Sequence, residues 1–191
     1  TPNILKSEGI ENKFESLTRL AVALAEESRQ GFPDVLIAGS FPPIETSFRP
    51  DLTPSNEVLD DYYSNLGSFI QQKVDLILCE TMGSIREGLN AAKNALKFSD
   101  RVWLSWTNRG ISGDILPSGE KLKDAVPAAN HLDVECQLIN CCAADLATKN
   151  IEALKKAKNY GVYANSAKLK EQKSIQDLGK TEDIDVNHHA N

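Results

Sequence analysis

The sequence lacks the features that mark several large classes of protein. No apolar run approaches the ~20 residues of a membrane-spanning helix, and no basic segment followed by an apolar one begins the chain. The 21 Lys and Arg are outnumbered by 27 Asp and Glu, and the net charge of −6 argues against nucleic-acid binding. Four cysteines are too few for a disulfide scaffold in 191 residues. We therefore expect a cytoplasmic protein that binds neither membrane nor nucleic acid.

The rest of the composition is that of an ordinary globular protein, with 41% hydrophobic and 25% charged residues. A chain of this length can enclose one substantial hydrophobic core. No low-complexity segment and no change of composition marks an internal boundary. We expect a single domain over residues 1–191, in which 167–191 form a polar tail or an interrupted connection.

Short apolar runs alternate with helical patterns along the chain. The runs with strand character are Val35–Phe41, Val74–Thr81, Arg101–Thr107, Cys136–Cys141 and Gly161–Ser166. Helical periodicity predicts helices over 13–30, 56–73, 84–98, 121–132 and 148–159. Pro127 is expected to bend or end the fourth of these. Such alternation predicts an α/β protein with a parallel sheet covered by helices.

Two architectures fit this pattern, a doubly wound open sheet and a (β/α)₈ TIM barrel. The turn "AGSFPP" after the first predicted strand lacks the G-x-G-x-x-G spacing of a dinucleotide-binding turn. Its absence favours the barrel, although a complete barrel has eight strands and roughly 250 residues. In both architectures the ligand site lies at the carboxyl ends of the parallel strands.

The predicted strands end in small or reactive polar residues. These ends are Gly39-Ser40, Glu80-Thr81, Ser105-Trp106-Thr107, Asn140-Cys141 and Asn165-Ser166. Such a set suits a small zwitterionic ligand. The Glu80 carboxylate would pair with an ammonium group, and backbone N–H groups near Gly39 and Ser40 would receive a carboxylate.

The cysteines differ in what their positions predict. Cys136 begins a predicted strand, at the end remote from the site, and Cys79 should face the helices because its neighbour Glu80 faces the site. Cys141 ends its strand, and Cys142 begins the following loop. Cys141 is therefore the thiol best placed for chemistry, as a metal ligand or as a nucleophile. No histidine lies at a predicted strand end to act as its base, which argues against Cys–His catalysis. The residues alone do not decide between a metal ligand and a nucleophile.

Five segments together resemble successive landmarks of the homocysteine S-methyltransferase family. They are "VLIAGSFPP", "VDLILCETMGSIREGLNAAKNAL", "VWLSWT", "LINCC" and "YGVYANS". The family includes betaine-, S-methylmethionine- and cobalamin-dependent enzymes. The resemblance implies a TIM barrel, present here as about five βα units. It also implies transfer of a methyl group from an activated donor to the thiolate of homocysteine, giving methionine, with the donor left open.

The resemblance also assigns residues. It implies a zinc ion held by three cysteine thiolates, of which Cys141 in "INC" would be one. Glu80 would bind the amino group of homocysteine. Gly39 and Ser40 would line the amino-acid pocket. Asn140 and Thr107 would be weaker candidates beside them.

The chain departs from the family pattern at both ends. The family's adjacent cysteine pair in a glycine-rich segment has no counterpart after Ser166, and Cys141-Cys142 follows Ile-Asn rather than Gly-Gly. Residues 1–6 resemble the loop after a second strand. The resemblance thus implies a central portion whose remaining zinc ligands lie in a missing C-terminal segment. We expect it to be inactive alone, with two open sheet edges that favour marginal stability or association.

Two other interpretations remain. The chain would be a non-catalytic binding module derived from a barrel if Cys141 and Cys142 were ordinary thiols. It would be another parallel α/β enzyme if Cys141 were a nucleophile. The oligomeric state is left open by the sequence.

Overall fold

The computed structural model describes residues 2–109, 113–169 and 181–183. The α-helices are α1 Pro2–Ser7, α2 Phe14–Ser28, α3 Asn56–Ile70, α4 Ile85–Ala95, α5 Leu122–Ala129, α6 Ala144–Lys149 and α7 Ile151–Leu154. The strands are β1 Ala38–Phe41, β2 Leu76–Met82, β3 Val102–Trp106, β4 Cys136–Ala143, β5 Tyr160–Asn165, β6 Ala167–Leu169 and β7 Thr181–Asp183. Short 3₁₀ turns cover Glu11–Lys13 and Pro50–Leu52. Most of the predicted tail, including His188 and His189, lies outside the described residues.

The main sheet has five parallel strands in the order β1-β2-β3-β4-β5, each joined to the next by helical connections. The strands are parallel and alternate with helices, which confirms the predicted parallel α/β architecture. Strands that are neighbours in sequence are also neighbours in the sheet. β6 and β7 form a separate antiparallel pair. No helix among the described residues is long and apolar enough to cross a membrane.

The two faces of the sheet have different environments. One face packs on the helices through side chains that are fully buried, among them Ile77, Cys79, Leu104 and Trp106. Alternate residues along each strand point to the other face, which carries the polar strand ends. The side chains of the site therefore share one face and one end of the sheet.

Helices lie close to this packed face. The ring of Phe41 on β1 stacks on Tyr63 of α3 with centroids 5.4 Å apart. A Cβ atom on Gly88 of α4 would lie 2.5 Å from the Trp106 ring on β3, so only glycine permits this approach. These contacts hold α3 and α4 against β1, β2 and β3, three of the strands that carry the candidate site.

Several predicted elements differ from the observed ones. Residues 1–6 were expected to be a loop, but Pro2–Ser7 form α1. The helix predicted over 148–159 is wrong in its extent, because it is two short helices, α6 and α7, that meet at Asn150. Asn150 is buried, and its side-chain amide donates to the carbonyl oxygens of Gly113 and Leu146. Pro127 lies inside α5, which ends two residues later.

Candidate functional site

The polar ends of β1 and β2 meet at the open face of the sheet. Ser40 is exposed at the end of β1, and its hydroxyl donates a hydrogen bond to the carboxylate of Glu80 on β2. The two residues are brought together because Ser40 pairs with Leu78, two positions before Glu80 on the same face. A carboxylate and a hydroxyl are thus adjacent at this end of the sheet.

Asn140 on β4 ties three strand ends together. Its Oδ1 accepts hydrogen bonds from the backbone N–H of Thr81 (3.0 Å) and the hydroxyl of Ser105 (2.7 Å). Its Nδ2 donates to Thr81 Oγ1 (2.7 Å) and to Cys141 Sγ (3.2 Å). The side chain is fully buried, so the structure gives it the role of orienting its neighbours. As a substrate-binding residue Asn140 stays a prediction.

Two residues of this cluster have an unusual backbone. Thr81 has φ +62° and Cys141 has φ +51°, in the left-handed region that favours glycine. Both lie at irregularities in strand pairing, between Cys79 and Met82 on β2 and between Asn140 and Ala143 on β4. Backbone strain of this kind concentrates at functional sites. The sequence pattern gave no sign of it.

The expected end of β4 at Cys141 is wrong. The strand continues to Ala143, because the irregularity at Cys141 lets pairing with β5 resume at Ala143 and Asn165. Cys142 was expected to begin a loop but is 1% exposed within the strand. Burial raises the pKa of the Cys142 thiol to about 11. The two adjacent thiols therefore differ, with Cys141 partly exposed and Cys142 in the core.

Tyr163 on β5 is a member of the site that sequence reasoning missed. It pairs with Asn140 in register, so it lies on the same face. Partial burial raises the pKa of Tyr163 to about 12, a hydrogen bond with Ser105 opposes this, and the nearby Glu80 and Cys141 add to the increase. The phenol is therefore neutral and close to both site residues. Period-two alternation along "GVYANS" was the signal that could have found it.

Gly39 and Thr107 make close contacts within the protein. A Cβ atom on Gly39 would lie 2.5 Å from Ile70 Cδ1 on α3, so this glycine permits close packing on the helix side. Thr107 is fully buried, and its hydroxyl donates to the carbonyl oxygen of Cys141 at 3.4 Å. Substrate binding by Gly39 and Thr107 stays a prediction. The contacts observed for them are packing and a hydrogen bond within the protein.

The loop between β1 and α3, residues 42–54, is fastened to the first turn of α4. The carboxylate of Glu87 accepts hydrogen bonds from the backbone N–H of Ile44 (3.1 Å) and the hydroxyl of Thr53 (3.2 Å). Arg86 donates to the carbonyl oxygens of Thr53 (2.9 Å) and Pro54 (2.7 Å). The loop that follows Ser40 is therefore held at both ends.

The thiols do not converge. Cys79 is buried on the helix side, as predicted, and burial raises its pKa strongly. Cys136 lies at the opposite end of β4 from Cys141. Within 2–109, 113–169 and 181–183, no three His, Cys, Asp or Glu side chains come together as metal ligands. Cys141 is thus the one cysteine that the described residues present at the site.

A parallel α/β sheet with a carboxylate, a hydroxyl and a partly exposed thiol at one end defines an α/β protein with a candidate small-molecule site at its strand ends. The sequence model described as homocysteine S-methyltransferase matches residues 1–187, and the chain belongs to that family. A search of curated proteins found no match.

Solved structures of similar fold include the homocysteine methyltransferase MmuM from Escherichia coli. The metallated form matches with a TM-score of 0.74 and 25% identity over 87% of this chain, and the apo form with 0.68 and 24% over 81%. The oxidised form matches with 0.71 and 23% over 87%. This chain spans 61–64% of the length of those structures. The predicted fold class, a partial barrel of about five βα units, is confirmed.

Proposed function

We propose that the protein this chain represents transfers a methyl group from an activated donor to the sulfur of homocysteine, giving methionine, in the cytoplasm, and that the 191-residue chain is inactive alone. Family membership supports the reaction class. The observation that carries the proposal is the Glu80 carboxylate, held by the Ser40 hydroxyl, on the same face of the sheet as the Cys141 thiol. One carboxylate beside an exposed hydroxyl suits the ammonium end of an amino acid.

In this proposal Glu80 and Ser40 bind the amino group of homocysteine, and backbone N–H groups near Gly39 and Ser40 receive its carboxylate. A hydrogen bond to a charged partner contributes about 1.5–3 kcal/mol, enough to fix the orientation of a small ligand. The side chain of the substrate then extends across the sheet toward Cys141. Tyr163 borders this path, since its phenol lies close to both Glu80 and Cys141.

The chemical step is a displacement at the methyl carbon. The homocysteine thiol gives its proton to solvent, its sulfur forms the new S–C bond, and the bond between the methyl group and the donor breaks. The donor keeps that electron pair, so a positively charged donor leaves as a neutral molecule. Small-molecule donors of this kind are the proposed second substrate, and their identity is open.

Zinc is the cofactor that the family resemblance implies, and Cys141 is its proposed ligand. The described residues do not form a zinc site by themselves, because Cys141 is not joined by two further thiolates, histidines or carboxylates. Atomic absorption measures the number of zinc ions bound per chain. The samples are the 191-residue chain, Cys141→Ala and, as the control, Cys142→Ala.

Calorimetric titration with homocysteine tests the proposed binding site. Glu80→Gln should weaken homocysteine binding roughly 10- to 100-fold, because it removes a charge-assisted hydrogen bond. Glu57→Gln, at an exposed position in the first turn of α3, is the matched control and should bind as the wild type does.

Equal affinities for wild type and Glu80→Gln would contradict the assignment of Glu80. A methionine-forming assay with sulfonium, quaternary ammonium and methylfolate donors then tests whether the 191-residue chain is inactive alone. We expect it to bind homocysteine without turning over any donor, and failure to bind homocysteine at all would favour the interpretations other than a methyltransferase.

A further inference from the structure

Thr81 occupies a backbone conformation that is costly for its residue type. Its φ of +62° is readily adopted by glycine and tolerated by asparagine, but it is an outlier for a β-branched side chain. A threonine at such a position carries strain that the surrounding structure must offset. Its side-chain contacts are therefore the natural place to look for what it contributes.

The hydroxyl of Thr81 lies between an amide and a thiol. Its oxygen accepts a hydrogen bond from Asn140 Nδ2 at 2.7 Å and donates its own hydrogen toward Cys141 Sγ at 3.6 Å. Asn140 Nδ2 also donates to the same sulfur at 3.2 Å. The sulfur of Cys141 is thus the acceptor of two converging donors.

Convergence of two donors restricts the sulfur to one orientation. The donors lie on different strands, because Thr81 is on β2 and Asn140 is on β4. The two residues are 59 positions apart in sequence. Rotation of the Cys141 side chain about its Cα–Cβ bond would break both contacts. Once deprotonated, the sulfur would keep one lone pair free of these two donors, and that lone pair would point in a fixed direction, which suits a sulfur that donates electrons to an electrophile.

We propose that Thr81 is a positioning residue, whose hydroxyl, together with Asn140, fixes the Cys141 thiol in a single orientation at the site. The proposal rests on the proposed function for its purpose, but the geometry it predicts does not depend on homocysteine. It assigns a role to a residue that the family resemblance left without one. A purely structural alternative is that Thr81 only stabilises the irregularity in β2.

Nuclear magnetic resonance on the full 191-residue chain distinguishes the two. The three-bond Hα–Hβ couplings of Cys141 report its side-chain rotamer, and the exchange rate of the Asn140 side-chain amide reports its hydrogen bond to Thr81. Thr81→Ser keeps the hydroxyl. Thr81→Val keeps the branched shape and the strain but loses the hydroxyl, and Thr81→Gly loses both. Thr18→Val is the control, since the Thr18 hydroxyl donates to the Phe14 carbonyl within α2.

The expected result for Cys141 in the wild type, in Thr81→Ser and in Thr18→Val is the pair of couplings of one staggered rotamer, with neither coupling averaged to an intermediate value. In Thr81→Val and Thr81→Gly both couplings should become intermediate, and the Asn140 amide should exchange about fivefold faster, as expected for the loss of one hydrogen bond. The couplings of Cys136, at the far end of β4, should not change.

A single Cys141 rotamer in both hydroxyl-free variants would overturn the proposal. So would averaged couplings in the wild type, or changes at Cys136 that match those at Cys141. Unfolding of both Thr81→Val and Thr81→Gly, with Thr81→Ser folded, would make Thr81 a stability residue and would also overturn it. None of these outcomes depends on whether the chain binds homocysteine, so failure of the proposed function remains distinguishable.

Discussion

At the scale of single residues, Glu87 is a carboxyl group in a buried environment. It is 3% exposed, and burial raises its pKa above the usual 4.5, although hydrogen bonds from Ile44 and Thr53 and the charge of Arg86 oppose this. The nearby Glu45 adds to the increase. The carboxyl group pins the loop after Ser40, so its protonation bears on both stability and the shape of the site.

The pH dependence follows from the direction of this shift. A carboxyl whose pKa is raised on folding contributes stability below its unfolded pKa, near 4.5, and that contribution is lost as pH rises through the folded pKa. Glu87→Gln keeps an acceptor for the Ile44 N–H but cannot ionise. We therefore expect the free energy of unfolding of Glu87→Gln, measured by urea denaturation, to increase relative to that of the wild type as pH rises from 4.5 toward 7.

Glu57→Gln is the matched control for this series, because Glu57 lies exposed in the first turn of α3. Its unfolding free energy should track that of the wild type with pH. A difference between Glu87→Gln and the wild type that is independent of pH would show that the charge of Glu87 is not the cause.

At the scale of elements, Gly39 lies at the close contact between β1 and α3. A Cβ atom at this position would lie 2.5 Å from Ile70 Cδ1 and 3.1 Å from Val74 Cγ2. The glycine therefore permits the strand and the helix to approach. The sequence placed Gly39 in the ligand pocket, and the structure shows packing as its observed contact.

Gly39→Ala should lower the free energy of unfolding by about 1–3 kcal/mol, because an added methyl group overpacks this contact. Ile70→Val removes the Cδ1 atom that the new methyl would meet. The double variant Gly39→Ala/Ile70→Val should therefore be less destabilised than the sum of the single variants, as measured by urea unfolding.

Additive effects would show that the clash with Ile70 is not the cause. Homocysteine titration gives a second test with the same proteins. If Gly39 lines the ligand pocket, Gly39→Ala weakens binding and Ile70→Val does not restore it.

At the scale of the whole molecule, the sheet has a protected centre and exposed margins. β2, β3 and β4 each pair with two neighbours in the main sheet, whereas β1 and β5 each pair with one. Tyr160, Val162 and Tyr163 of β5 are 39–46% exposed, unusual for large side chains on a parallel strand. These margins are where the predicted association would occur.

Amide hydrogen exchange should follow this arrangement. We expect the slowest exchange in β2–β4 and faster exchange over Tyr160–Asn165, because exposed strands with few packed neighbours open at lower free energy. Mass spectrometry of the exchanged chain measures the exchange rate of each segment, and repeating the measurement at a second protein concentration detects association. Protection of β5 equal to that of β3 would contradict the expectation for a monomer, and protection that grows with concentration would identify association through the edge.

The sequence by itself determined the alternation of strands and helices, because apolar runs and helical periodicity are local signals. It also placed Ser40, Glu80 and Asn140 at strand ends, and the parallel register then brought them to one face. The family landmarks lie on these same segments. Boundaries were less well predicted, as at α1 and at the end of β4, since they depend on contacts outside the segment.

Only the tertiary structure decided the orientation of the site. The left-handed backbones of Thr81 and Cys141 accompany hydrogen bonds between β2 and β4, and β4 continues through the buried Cys142 because its pairing with β5 resumes at Ala143. A sequence pattern records which face a residue should take, but not a bond to a partner 59 residues away. Long-range hydrogen bonds fix these positions, and for that reason the thiol at Cys141 differs from its neighbour.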